Sequence, residues 1–124
     1  MLKRTHRGPL LEGRRFLITG ITDGASLATH VAREVLAEGG TLVCAGLGPT
    51  PHHDGLSERA KAHLEATFES LCKTVEMELG ADVPVVACDL SIDASIAGLA
   101  RRLGEGAPVD GVLHAAAFAT PTAL

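Results

Sequence analysis

A chain of 124 residues that is 46% hydrophobic and 21% charged has the size and composition of one globular domain with its own core, which argues against an intrinsically disordered chain. The formal net charge of −4 gives no electrostatic footprint for nucleic acid, and no apolar run approaches the roughly 20 residues that cross a bilayer. Three cysteines without a CxxC pair fit neither a disulfide framework nor a zinc knuckle, and the absence of tyrosine and tryptophan denies these residues any mechanism that uses a phenolic hydroxyl.

The opening MLKRTHRGPLLEGRR is basic but lacks the apolar stretch and cleavage site of a secretory signal. Residues 1–14 are expected to form a solvated N-terminal arm, with Lys3, Arg4, Arg7 and Arg14 continuing into Arg15. The remaining residues, 15–124, form the domain. The expected setting is the cytoplasm, where Cys44, Cys72 and Cys88 are small reduced core residues.

Arg15 to Thr19, RFLIT, is a short apolar run that stops at Gly20 and reads as a buried strand. The period then changes: Leu27, Ala28, Val31, Ala32, Val35 and Leu36 recur at helical spacing, with Ser26 as N-cap and Gly39-Gly40 as the stop. Thr41 to Ala45, TLVCA, is a second strand, and Gly46 to Gly55 is a loop by its glycine and proline content. Leu64, Phe68, Leu71, Cys72, Val75 and Leu79 make the apolar stripe of a long helix ending at Gly80, opposite a face of mixed charge. Val83 to Cys88 is a third strand, and Pro84 suits an edge because proline cannot donate to a ladder. A further helix carries Ile92, Ile96, Leu99, Ala100 and Leu103 on its inner side. Gly111 to Ala119, GVLHAAAFA, reads as a fourth strand buried on both faces.

The order βαβαβαβ with such apolar strands predicts an α/β fold, a Rossmann-like parallel sheet with helices on both faces. Right-handed crossovers put the strands in the order 3-2-1-4. That arrangement leaves the fourth strand without an outer neighbour, and Thr120 to Leu124 carry no terminating signal. The expectation is therefore an incomplete domain from a truncated chain, which exposes an apolar edge and tends to aggregate.

The turn Thr19-Gly20-Ile21-Thr22-Asp23-Gly24-Ala25-Ser26-Leu27-Ala28 lies between strand and helix. Glycine there lets a backbone approach a diphosphate, whose charge the helix N-terminus favours. This segment resembles the variant turn of the enoyl-acyl-carrier-protein reductases, a branch of the short-chain dehydrogenases in which serine, an aliphatic residue and alanine replace the last glycine. Cys88-Asp89-Leu90-Ser91-Ile92-Asp93-Ala94-Ser95-Ile96 is similar to the stretch after that family's third strand, and Asp110 to Ala119 to its fourth-strand signature.

The resemblance implies that Gly20, Ile21, Ser26 and Leu27 lie at the diphosphate of NADH, and that Asp89 and Leu90 bracket the adenine, with the carboxylate accepting from its exocyclic amine. It implies further that Ala115, Ala116 and Ala117 leave room beside the nicotinamide and that Ala119 faces the acyl substrate. The residues alone leave other readings open: Ser26 as only a helix cap, Asp89 as a cap of the next helix, the alanines as tight packing. Leu47 stands at the end of the second strand, where related enzymes read the ribose with a polar side chain, so a preference for NADH over NADPH rests on the family.

By resemblance, the intact protein reduces the trans-2 double bond of enoyl thioesters in fatty acid biosynthesis, takes its substrate from acyl carrier protein and forms a homotetramer. No catalytic residue is assigned within the chain, because the family's catalytic tyrosines and lysine fall beyond Leu124. Gly24 keeps the ordinary TGxxxG spacing, which supports a ketoacyl reductase as the alternative, and the lack of tyrosine supports a non-catalytic nucleotide-binding module. His52, His53 and His63 are expected on solvated surface and are not assigned to a metal; His114 is expected as a hydrogen-bonded core residue.

Overall fold

The computed structural model describes residues 9–116. In chain order the elements are β1 (Arg15–Thr19), α1 (Leu27–Ala37), β2 (Thr41–Gly46), α2 (Glu58–Leu79), β3 (Val85–Ala87), α3 (Asp93–Gly104) and β4 (Gly111–His114), with a single 3-10 turn at Pro51–His53 between β2 and α2. The four strands form one parallel sheet in the order β3-β2-β1-β4, as the right-handed crossover rule requires.

Each helix starts and stops for a local reason. Ser26 caps α1 by accepting from the Thr29 amide, and Ser57 caps α2 by accepting from the Ala60 amide. Gly80, at φ +122°, ends α2. The helices then cover the sheet unequally. Ile18, Leu42 and Cys44 meet Ala28, Ala32 and Val35 of α1 and Leu71 and Val75 of α2 in one core, whereas Leu17, Val43, Ala45, Val86 and Cys88 meet Leu99 of α3 in the other. Burial pushes the Cys44 thiol up to about 11, which makes it an unreactive core group.

Three expectations change. The inner face of α3 is set by Ser95 and Leu99, while Ile96 is 41% exposed and Ala100 is exposed. The cause is a hydrogen bond of 2.9 Å from the Asp89 amide to the Ser95 hydroxyl, which turns Ser95 towards the sheet and carries its neighbour outward. The described ladder of β4 runs from Gly111 to His114, Ala115 and Ala116 lie outside it, and Val112 is 62% exposed; Ala117 to Ala119, the rest of the expected strand, lie outside the described residues. Among the described residues β4 pairs with β1 alone and is exposed on one face rather than buried on both. Finally, Arg14 and Arg15 are not loose in solvent. Asp110 accepts from the Arg15 amide at 2.9 Å and pairs with Arg14, and the Arg15 guanidinium donates to the carbonyls of Leu103 and Ala107. Just before them, the Leu11 amide bonds to the Glu38 carbonyl at 2.8 Å, so residues 9–14 are fastened to the turn between α1 and β2.

Candidate functional site at the carboxyl ends of the strands

In a parallel sheet all carboxyl ends point the same way, and here the chain runs outward from β1 to β3 before crossing back to β4. The reversal leaves a crevice beside β1 that neither crossover fills. A cavity of about 680 Å³ opens there, within the range of small-molecule sites. Its walls are Thr19 to Thr22 after β1, Ala45 to Leu47 at the end of β2, Cys88 to Ser91 after β3, Ala116 after β4, and His63, Ala66, Thr67 and Ser70 along α2.

Gly20 is required here for two reasons. Its φ is +89°, and a Cβ built on it would stand 2.4 Å from the carbonyl carbon of Ala115 and 2.7 Å from the Ala116 nitrogen. Only a residue without a side chain lets the exit of β4 press so closely against the exit of β1. The two exits are tied further by the Thr19 hydroxyl and His114 Nδ1, 2.8 Å apart. His114 is exposed, hydrogen-bonded as expected but not in the core.

Beyond Gly20 the turn closes on itself. The Asp23 carbonyl accepts from the hydroxyls of Thr29, at 2.7 Å, and Ser26, at 3.1 Å, while the Asp23 carboxylate accepts from the Ala25 amide at 2.8 Å. Ser26 is thus the hub of the α1 cap. The first amides of a helix have no intrahelical acceptor, so Leu27 and Ala28 bring a positive dipole end to this side of the cleft. Gly24 lies against Glu78 of α2, which pairs with Arg33 of α1.

Across the cavity Asp89 is held from two sides. Its Oδ1 accepts from the Ser91 amide at 2.9 Å and the Ser91 hydroxyl at 2.6 Å, and its Oδ2 accepts from His53 Nε2 at 2.9 Å. The Ser91 hydroxyl, His53 and the Ser91 amide together lower its carboxyl to about 2, so it is ionised at any physiological pH. Asp89 does not cap α3, whose N-cap Ile92 has no side-chain hydrogen bond.

Of the residues expected at the site, Gly20, Ile21, Leu47, Asp89, Leu90 and Ala116 line the one cavity. Ser26 and Leu27 sit at the start of α1, outside its lining, and Leu27 is 69% exposed. Ala115 meets Gly20 through its backbone; Ala117 and Ala119 lie outside the described residues. Two features escaped the sequence reading. His63, Thr67 and Ser70 form a polar strip at i, i+4 and i+7 of α2, spacing that puts them on one face. His53, expected on solvated loop, is only 7% exposed, because the Thr50 cap and Pro51 wind the loop into a turn that carries it inward. Among the described residues no group of three or more His, Cys, Asp or Glu could hold a metal ion, and no helix is long and apolar enough to cross a membrane.

A parallel β-α-β sheet with a glycine turn and a carboxylate facing each other across its switch point defines a Rossmann-like nucleotide-binding fold. The KR domain model matches residues 15–124, and the chain belongs to that family. It is 31% identical over 113 residues to the enoyl-[acyl-carrier-protein] reductase [NADH] of Mycolicibacterium smegmatis, covering 88% of this chain and 35% of that protein. Among solved structures it is similar to the enoyl-acyl-carrier-protein reductase of Anaplasma phagocytophilum in complex with NAD, with TM-score 0.59 and 25% identity over 88% of this chain and 35% of that one. It is also similar to the corresponding NADH enzyme of Aquifex aeolicus, with TM-score 0.60 and 27% identity over 84% and 34%. The chain spans about 35% of the length of the curated relatives it matches.

Proposed function

We propose that the cleft binds NADH and that the full-length protein is an enoyl-acyl-carrier-protein reductase, acting in the cytoplasm, as a homotetramer, on trans-2-enoyl thioesters of fatty acid biosynthesis. The observation that carries this reading is the pairing, across one cavity, of the Gly20 turn with an ionised Asp89. The lining has the character a dinucleotide needs, with apolar walls from Ile21, Leu47, Leu90 and Ala116 and polar side chains such as Thr22, Thr67, Ser70, Asp89 and Ser91 between them. The backbone amides of Gly20 and Ile21, and those of Ser26 and Leu27 at the α1 terminus, hold the diphosphate, while the Ser26 hydroxyl is spent on the cap. Asp89 accepts from the adenine amine while Leu90 packs on the ring. Leu47 gives the ribose no hydrogen bond, and Thr67 and Ser70 of α2 are the nearby hydroxyls of the lining.

Ala115, Ala116 and Ala117 leave space for the nicotinamide, and Ala119 faces the acyl chain. When bound, NADH supplies the hydride that reduces the β-carbon of the thioester. The residues of this chain bind and orient; with no tyrosine among them they contribute no phenolic proton donor.

The test is to titrate the full-length protein with NADH and then assay it against a trans-2-enoyl thioester and a β-ketoacyl thioester. Saturable NADH binding with turnover of the enoyl substrate is expected. Gly24, at the ordinary TGxxxG spacing, favours a second reading as a ketoacyl reductase, and turnover of the ketoacyl thioester alone establishes that reading instead.

A further inference from the structure

The connection between β2 and α2, residues 47–57, does more than join them. It delivers His53 to the far side of Asp89, and both partners of that contact are fixed by other bonds. His53 Nδ1 accepts from the Thr50 amide at 3.0 Å. A backbone amide can only donate, so Nδ1 carries no proton and the ring proton sits on Nε2. That proton points at Asp89 Oδ2, 2.9 Å away.

The carboxylate is then almost fully committed. Each of its oxygens has two lone pairs. Oδ1 uses both, on the Ser91 amide and the Ser91 hydroxyl, and Oδ2 uses one, on His53. A single acceptor position is left on Oδ2. Asp89 lines the cavity and His53 does not, so the histidine takes part of the carboxylate without competing for the cleft. With side-chain exposures of 8% and 18%, the pair is shielded enough for its geometry to persist.

We infer that His53 is a positioning residue for base recognition: by holding Asp89 Oδ2 from behind, it aims the last free lone pair at one donor in the cleft, the exocyclic amine of a purine. The inference rests on the proposed adenine contact of Asp89, and it assigns a role to the loop between β2 and α2. Without His53 the Ser91 bonds still anchor Oδ1, but Oδ2 loses the partner that sets its direction, and its acceptor position is no longer fixed. An oxygen in place of the amine would face the carboxylate as a second acceptor, so the arrangement discriminates adenine from hypoxanthine.

The experiment compares NADH with its reduced hypoxanthine analogue, by calorimetric titration of the full-length protein and its His53→Leu and His53→Gln variants. The wild type is expected to prefer NADH by about tenfold, the scale of one hydrogen bond to a charged group. His53→Leu collapses that preference by weakening NADH alone, and His53→Gln, whose amide nitrogen can donate to Oδ2, restores most of it. A merely structural histidine would weaken both ligands equally. A preference that persists undiminished in His53→Leu overturns the positioning role, and a wild type that binds both ligands alike overturns the Asp89–adenine contact together with it. Should His53→Leu not fold, nitrogen-15 spectra of the wild type decide: the His53 proton stays on Nε2 with and without NADH, and a proton on Nδ1 in the complex overturns the inference.

Discussion

The two turns that face each other across the cleft are built by different means. After β1, the turn is shaped by backbone: Gly20 clears the space, and Asp23, Ser26 and Thr29 bond among themselves to hold the start of α1. After β3, the turn is shaped around a side chain: Asp89 is ionised, bonded to Ser91 beside it, and buttressed by His53, 36 positions away in sequence. A backbone site depends on conformation, so the substitutions that damage it act first on stability. A side-chain site depends on aim and charge, so they act first on discrimination and pH dependence.

The largest expected effect lies in the first turn. Gly20→Ala places a methyl carbon within 2.4 Å of the Ala115 backbone at a positive φ, which rigid backbone on both sides cannot relieve. A loss of about 3 kcal/mol in stability is expected from strain and displacement together, read by urea denaturation. A loss below about 1 kcal/mol, the usual cost of an ordinary substitution, would show that the two strand exits are not locked together.

The second turn is sharpened by pH. The Asp89 carboxyl is lowered to about 2 in the folded protein, below its ordinary value near 3.9 when unfolded. A carboxyl lowered by folding contributes stability that is complete above about pH 4 and is lost as pH falls through about 2, worth about 2 kcal/mol by linkage. The melting temperature of the wild type should therefore fall more steeply between pH 4 and 2 than that of Asp89→Asn. Parallel curves would mean that Ser91 and His53 do not hold the charged form.

A smaller effect separates the two roles of Ser26. If its hydroxyl serves α1 as the geometry indicates, Ser26→Ala costs about 1 kcal/mol of stability and leaves NADH affinity nearly unchanged. A large loss of affinity with unaltered stability reverses that assignment. The smallest effect is expected at the exposed Lys73–Glu69 pair of α2, remote from either turn, where Lys73→Ala costs about 0.3–0.5 kcal/mol and changes no binding property.

This division also explains which parts could be read in the sequence. RFLIT followed by glycine, then Ser26 before an apolar helical stripe, announced β1, its turn and α1 to within a residue, because backbone conformation and capping are local matters. The strand order followed from chirality rather than from any particular residue. The inward turn of His53 did not follow, since nothing in PHH distinguishes a buried imidazole from a wet one until Asp89 is brought to it by the fold. The rotation of α3 was hidden for the same reason: the apolar Ile96 looked inward by hydrophobicity, but a bond between Ser95 and the Asp89 amide decided the matter. The strip of His63, Thr67 and Ser70 follows helical spacing, but short polar side chains beside a charged face carry no signal that a cavity lies over them.

The most direct test of the central claim is a crystal structure of the full-length protein with NADH. The diphosphate is expected against the amides of Gly20 and Ile21 at the head of α1, with the adenine amine within hydrogen-bonding distance of Asp89 Oδ2. Coenzyme bound elsewhere, or a cleft between Gly20 and Asp89 filled by protein side chains, would contradict the account.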